Sequence, residues 1–323
     1  MSNNVTLKDI RRARRRIAPV AKATPVIESK NLSALFSARV YLKPECFQAT
    51  GSFKIRGACS FITSLNEDER RKGLVTCSSG NHGAGLAAAA TALGGIPVTV
   101  FVPQGAETTK LKRIEASGAR IIMEGGDFLD TYGRARRYAE THSLRYAHSH
   151  DDPAVIAGQG TIGLEIMEEC PDAEVIVVPV GGGGLLSGIA TAVKSLKKDV
   201  RIYGVEAAAA PGAYLSFRDG YCHETVDIKP SLADGLLGTL TPRTWSIIAG
   251  LAEGVEIVEE EDIARAMKTL FEAEQIVTEG SGAVGLAAVQ AGLLDIRNRR
   301  VVFVITGRNI HSEKFLASLR SVT

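Results

Sequence analysis

"AEVIVVPVGGGGLLSGIATAVKSLKK", Ala173–Lys198, sets an apolar, largely β-branched run against four glycines and then an amphipathic stretch. A run that short and that apolar reads as a strand buried on both faces, and the stretch after the glycines has helical length and spacing. Gly181, Gly182, Gly183 and Gly184 let the backbone curl so that its N–H groups converge, while the following helix start adds a positive dipole end. A phosphate cradle is one reading of this unit. A dinucleotide site is a second, because the next strand, "VRIYGVEA", reaches Glu206 about 20 residues on, where such folds place a ribose-binding acid. The spacing Gly182, Gly184, Ser187 lacks that fingerprint's third glycine. A turn without a ligand is the third reading.

Outward from this unit the same pattern recurs. "GLVTCSSGNHG" leads into "AGLAAAATALG", "IPVTVFVP" into "ETTKLKRIEASG", and "ARIIMEGG" into "DFLDTYGRARRYAETH". "RRVVFVITG" closes the series after the helical stretches "EEDIARAMKTLFEAEQ" and "SGAVGLAAVQAG". Short buried runs alternating with helices predict an α/β fold with mostly parallel sheets covered on both faces. No proline-rich linker or internal repeat divides the 323 residues, so a second lobe must be inserted in the first or packed closely on it.

Composition excludes several classes. The net charge of +2 is too small for a nucleic-acid footprint, and the arginines at 11, 12, 14, 15 and 16 share their stretch with Ile10, Ala13 and Ile17 on one helical face. With Thr6 as N-cap and Asp9 three residues on, this reads as a helix with a solvated basic face. Five scattered cysteines with no C-x-x-C pair argue against a disulfide framework or a structural zinc, and favour a reducing, cytoplasmic setting. The apolar runs are broken by glycine and proline before they could span a bilayer.

Nearer the N-terminus, "TGSFKIRGA", Thr50–Ala58, places Lys54 where a helix is expected to open, near Ser52 to Phe53. The positive dipole end disfavours an ammonium there and favours a free amine, so Lys54 is a candidate nucleophile as well as a candidate surface charge.

Together with "SSGNHG", "DPAVIAGQGTIGLEI", "EGSGAVG" and the terminal "TGRN", these motifs resemble the fold-type II pyridoxal-phosphate enzymes, in the serine/threonine dehydratase and serine racemase branch. The resemblance covers nearly the whole chain. It implies a tryptophan-synthase-beta-like architecture of two lobes, a large one over residues 1–72 and 150–323 and a small one over 73–149, in a homodimer. It implies that Lys54 holds the aldehyde of pyridoxal 5'-phosphate, that Phe53 packs on the ring and that Asn81 meets the phenolic oxygen. Gly181 to Gly184 and Leu185 would cradle the phosphate, and Thr306 would face the pyridine nitrogen in place of the family's serine or cysteine. Arg308 stands where the motif "SGGN" has its second glycine. Ser78, Ser79, Asn81 and His82 would grip the substrate carboxylate, and Ser79 is also the residue a racemase would use as its second base. A divalent cation, magnesium or calcium, would take Glu206 and the Ala210 carbonyl, although Gly212 replaces the expected aspartate. Asp127, Phe128, Leu236 and Arg308 are candidate pocket walls.

The activity so implied is elimination of water from a 3-hydroxy amino acid such as L-threonine or L-serine, giving a 2-oxo acid and ammonia. Racemisation, a bulkier or acidic substrate such as phenylserine or 3-hydroxyaspartate, and more distantly an NAD(P)-dependent oxidoreductase are the alternatives. Because the sequence stops soon after "TGRN", the C-terminal regulatory domain of biosynthetic threonine dehydratases is not expected.

Overall fold

Leu74–Cys77 and Val175–Pro179 have every residue buried, as strands sandwiched between helices must. They belong to two different sheets of the computed structural model, which describes residues 5–322. In chain order the strands are β1 (Ile27–Ser29), β2 (Arg39–Lys43), β3 (Leu74–Cys77), β4 (Val98–Val102), β5 (Arg120–Met123), β6 (Arg145–Tyr146), β7 (Val175–Pro179), β8 (Arg201–Ala207), β9 (Gly254–Val258) and β10 (Arg300–Val304). The larger sheet runs β1-β2-β10-β7-β8-β9 and the smaller β5-β4-β3-β6. All pairings are parallel except β1 with β2. The α/β expectation therefore holds, with β1, β2, β6 and β9 added to the six strands quoted from the sequence.

Parallel neighbours bring their C-terminal ends to one edge, where ligands bind in open α/β sheets. In the large sheet β2, β10 and β7 are adjacent, and their ends lead to Lys54, Thr306 and the glycine run respectively. In the small sheet, β3 leads to Ser78–Asn81 and β6 to His148–His150. Five segments far apart in sequence thus issue from the carboxyl ends of strands.

Three helices set the spacing beneath them. Pro153–Glu169, N-capped by Asp152 with proline in its first turn, lies between the helix Lys54–Ser64 and the helix Gly184–Leu196. Its glycines let backbone meet backbone. A Cβ on Gly158 would come within 2.6 Å of the Arg56 carbonyl oxygen, and one on Gly160 within 2.8 Å of the Gly188 carbonyl oxygen. The "IAGQGTIG" segment is the spacer between the lysine and the glycine loop. Gly188→Ala would drive a methyl to 2.5 Å from the Gly160 nitrogen, with only backbone to yield. Overpacking of this kind costs about 1–3 kcal/mol. The expected result is a lower melting temperature together with weaker cofactor retention, read by thermal denaturation and equilibrium dialysis.

The arginine helix forms as its pattern dictates, over Leu7–Ile17, with a Thr6–Asp9 capping box and Ile10, Ala13 and Ile17 buried. Arg14 pairs with Glu168 on the neighbouring helix. Among the described residues no helix is long and apolar enough to cross a membrane.

Candidate active site

Lys54 is the first residue of its helix, one later than the expected opening, with Phe53 as N-cap. Its amine donates to the Ser149 carbonyl at 3.1 Å and lies 5.1 Å from the centroid of the Phe53 ring. Burial lowers its pKa from 10.5 to about 8, with Glu279 pulling weakly the other way. At neutral pH about one amine in ten is then uncharged, against fewer than about one in a thousand for a solvated lysine. Desolvation is the main cause. Arg56, two residues on in the motif, contributes nothing here, because its guanidinium turns away into a buried cluster with Glu45 and Glu165.

The glycine loop is built to take something. Gly183 has φ +81°, a conformation that favours glycine, and caps the helix Gly184–Leu196. Among the described residues, the N–H groups of Gly181, Gly182 and Gly183 donate to no protein acceptor. The Gly181 Cα faces the Leu236 backbone, while Gly182 and Gly184 face His150. Leu185 is buried in the core below the loop, so it can offer the loop's ligand only its backbone.

The Thr306 side chain is 2 % exposed and its hydroxyl has no hydrogen-bond partner among the described residues. A buried hydroxyl left open needs a partner the protein does not supply. It sits beside Lys54 in the fold, since the Thr306 carbonyl accepts from the Phe53 N–H at 3.1 Å. An unpaired hydroxyl, loop N–H groups without acceptors and a desolvated amine are the donor set that a phosphorylated heterocyclic aldehyde requires.

Asn81 and Glu279 are joined across the two sheets. The Asn81 amide donates to Glu279 Oε1 at 2.7 Å, and Asn309 donates to Asn81 Oδ1 at 2.6 Å and, through its backbone N–H, to Glu279 Oε2 at 3.1 Å. Burial, helped by Asp234, raises the Glu279 carboxyl to about 7, while the bonds from Asn81 and Asn309 restrain it. Lys110, whose charge also acts on Glu279, pairs with Asp234. Ser78 caps the helix Asn81–Ala92 by accepting from Gly80 and Gly83 at 3.2 and 3.1 Å. Ser79 is partly buried, and its hydroxyl makes no hydrogen bond to the described residues.

His82 is placed differently from a ligand-gripping group. It is buried, its Nε2 bonds the Ala147 carbonyl at 3.1 Å, and burial lowers its pKa to about 3, so the ring anchors the small sheet. Arg308 is exposed, with its guanidinium over the Phe47 ring at 5.7 Å, whereas the Thr306 hydroxyl is buried. Asp127 caps the helix Phe128–Thr141 at the surface. Phe128 is the outer end of an aromatic chain that passes through Tyr132 and His148 to His150.

The metal donors do not fit a cation. Both Glu206 oxygens accept the Ala213 N–H, at 3.1 and 3.0 Å, and one also accepts the Tyr214 N–H at 3.0 Å. Burial raises this carboxyl to about 8, and the Ala210 carbonyl accepts the Gly212 N–H. Among the described residues no three His, Cys, Asp or Glu side chains gather to hold an ion. The same helix-capping geometry occupies Glu206 against a ribose.

Glu279, Asn309, His148 and His150 were not singled out by their own residues in the sequence. Three of them stood inside or beside quoted motifs: Glu279 opens "EGSGAVG", Asn309 ends "TGRN", and His150 comes two residues before "DPAVIAGQG".

Such a set defines an enzyme that works through pyridoxal phosphate, and the profile described as "pyridoxal-phosphate dependent enzyme" matches residues 17–307. The chain belongs to that family. It is 44% identical to the L-threonine ammonia-lyase of Thermotoga maritima, over 95% of this chain and 76% of that protein. It is 39% identical to the catabolic L-threonine dehydratase of Escherichia coli, over 95% and 93%. Among solved structures, maize serine racemase superposes with a TM-score of 0.92 at 33% identity, covering 98% of this chain and 97% of that one. The processed threonine deaminase of Solanum lycopersicum gives 0.91 at 30%, covering 97% and 91%. The oxidoreductase alternative is thereby set aside.

Proposed function

We propose that this chain eliminates water from a 3-hydroxy amino acid, L-threonine or L-serine, to yield a 2-oxo acid and ammonia. The observation that carries the reading is the desolvated Lys54 amine, held at the Ser149 carbonyl among unpaired donors. The relatives named for threonine at 39–44% identity supply the substrate class. Pyridoxal phosphate, when bound, supplies an electron sink that makes the substrate Cα–H acidic. Lys54 would then take the Cα proton as its free amine, and the 3-hydroxyl would leave as water. Hydrolysis of the resulting enamine returns that water and releases ammonia, so substrate and products differ by no net water.

The first turn of the helix Asn81–Ala92, with Ser78, Ser79 and Asn81, would bind the substrate carboxylate through N–H and hydroxyl donors. Thr306 would donate to or accept from the ring nitrogen without giving it a full counter-charge. We place the lobes at 73–149 and at 1–72 with 150–323; residues 1–4 and 323 of the latter lie outside the described residues. Asn81–Glu279 and Lys110–Asp234 tie the two lobes and would tighten on closure. Glu206 would act as a helix cap and not as a metal ligand. A homodimer in the cytoplasm completes the proposal, supported by the five free thiols and the family resemblance.

Racemisation is the second reading, favoured by the unpaired Ser79 hydroxyl and the superposition on serine racemase. A panel of L-threonine, L-serine, 3-hydroxyaspartate and phenylserine separates the two. 2-Oxo acid and ammonia should appear in equal amounts with threonine or serine, and chiral chromatography should find little D-serine. D-serine as the main product would overturn the dehydratase reading.

A further inference from the structure

The reaction just proposed gives no task to His150, although its ring lies against the glycine loop. A Cβ on Gly182 would collide with His150 ring atoms, and one on Gly184 would lie 2.9 Å from the His150 carbonyl oxygen. The ring is held from several sides. Its Nδ1 bonds the Ser149 hydroxyl at 3.0 Å, and it meets the His148 ring edge-on at 4.5 Å between centroids. The backbone beneath it is fixed by His148 Nδ1, which accepts from the His150 and Asp151 N–H groups at 3.3 and 2.8 Å. What remains open is Nε2, which has no hydrogen-bond partner among the described residues. On the other side of the contact, the N–H groups of Gly181, Gly182 and Gly183 are open too. Donors left free on both faces of one space suit an anion with several oxygens.

We propose that His150 is a phosphate-binding residue of this site, its Nε2–H donating to an oxygen of the same phosphate that the glycine loop cradles. The inference rests on the reading that the loop holds the cofactor's phosphate. A hydroxyl can donate to Nδ1 as well as accept from it, and with Ser149 as the donor the ring proton sits on Nε2, so the ring donates without carrying charge. That matters here, because burial disfavours a charge on this ring and the nearby Lys54 amine disfavours a second cation. An imidazole gives the anion a donor while leaving the Lys54 amine able to lose its proton.

The test titrates apo-protein with pyridoxal phosphate and, separately, with pyridoxal, which lacks the phosphate. His150→Phe keeps the flat ring and removes the donor, while His150→Gln keeps an amide donor. Loss of one such bond should weaken pyridoxal phosphate binding about tenfold or more in His150→Phe, with pyridoxal unaffected, and His150→Gln should recover part of the loss. The 31P resonance of the bound cofactor should move in His150→Phe and return toward the wild-type position in His150→Gln. Equal weakening toward both aldehydes, or none toward either, overturns the assignment. So does a rise confined to the KM of the amino acid, which would put the ring on the substrate. Wild-type protein that binds pyridoxal phosphate but deaminates no hydroxy amino acid would sink the proposed reaction and leave this inference standing.

Discussion

Lys54→Ala is expected to stay colourless once unbound pyridoxal phosphate is dialysed away and to release ammonia from threonine at least about ten-thousand-fold more slowly than wild type. The variant should fold. At neutral pH the native state carries a largely protonated amine that burial disfavours, so alanine removes a cost, and the melting temperature of the apo-protein should hold or rise. That pairing of lost chemistry with intact stability separates a nucleophile from a structural lysine. The pH dependence follows from the sign of the shift. Folding lowers the pKa from 10.5 to about 8, so the penalty is fully present below about 8 and is relieved as pH rises from there toward 10.5. Only the free amine attacks an aldehyde, so cofactor capture by wild-type apo-protein should quicken with pH and level off above about 8. Stopped-flow absorbance reads both. Turnover that survives in Lys54→Ala would sink the proposed reaction.

What the sequence made legible was local. The alternation of apolar runs with helices, the glycine loop after β7 and the Thr6–Asp9 capping box each depend on residues within a few positions of one another, and each formed as read. The capture of Asn81 by Glu279 joins residues 198 apart, and no periodicity carries that information. Arg56 makes the contrast sharpest. Read along the chain it stands two residues from Lys54 and resembles a second charge on the same nucleophile. On a helix, positions i and i+2 point to different sides, so the two side chains part company at once. His148 and His150 were hidden for a related reason, because the short β6 that aims them has only two residues and little pattern of its own.

Arg56 itself carries the second large prediction. Its guanidinium is 1 % exposed, and every N–H has a partner. Nε and Nη2 donate to Glu45 at 2.7 and 2.8 Å, Nη1 and Nη2 to Glu165 at 2.7 Å each, Nη1 to Thr161 at 3.0 Å and Nη2 to the Lys22 carbonyl at 3.0 Å. Lys43 completes the cluster through Glu165 at 2.6 Å, so two buried cations meet two buried carboxylates. Burial pushes Glu45 up, but the Arg56 charge, the hydrogen bonds from Arg56 and Thr24 and the nearby Lys43 together outweigh it and hold the carboxyl below its usual range. The stability this supplies is present above the ordinary carboxylate pKa and is lost as pH falls through the lowered one. Arg56→Ala leaves Glu45 and Glu165 with Lys43 alone. Breaking a buried pair in this way costs about 3–5 kcal/mol. For a chain of this size that corresponds to a fall in melting temperature on the order of 5–10 °C. Arg56→Lys keeps the charge but cannot fork to both carboxylates, so it should recover only part of the loss. Because the cluster anchors the helix that begins at Lys54, both variants should hold the cofactor more weakly in proportion to their destabilisation. A Lys54 whose cofactor affinity ignored the loss of Arg56 would mean that its helix is fixed by the Gly158 contact alone.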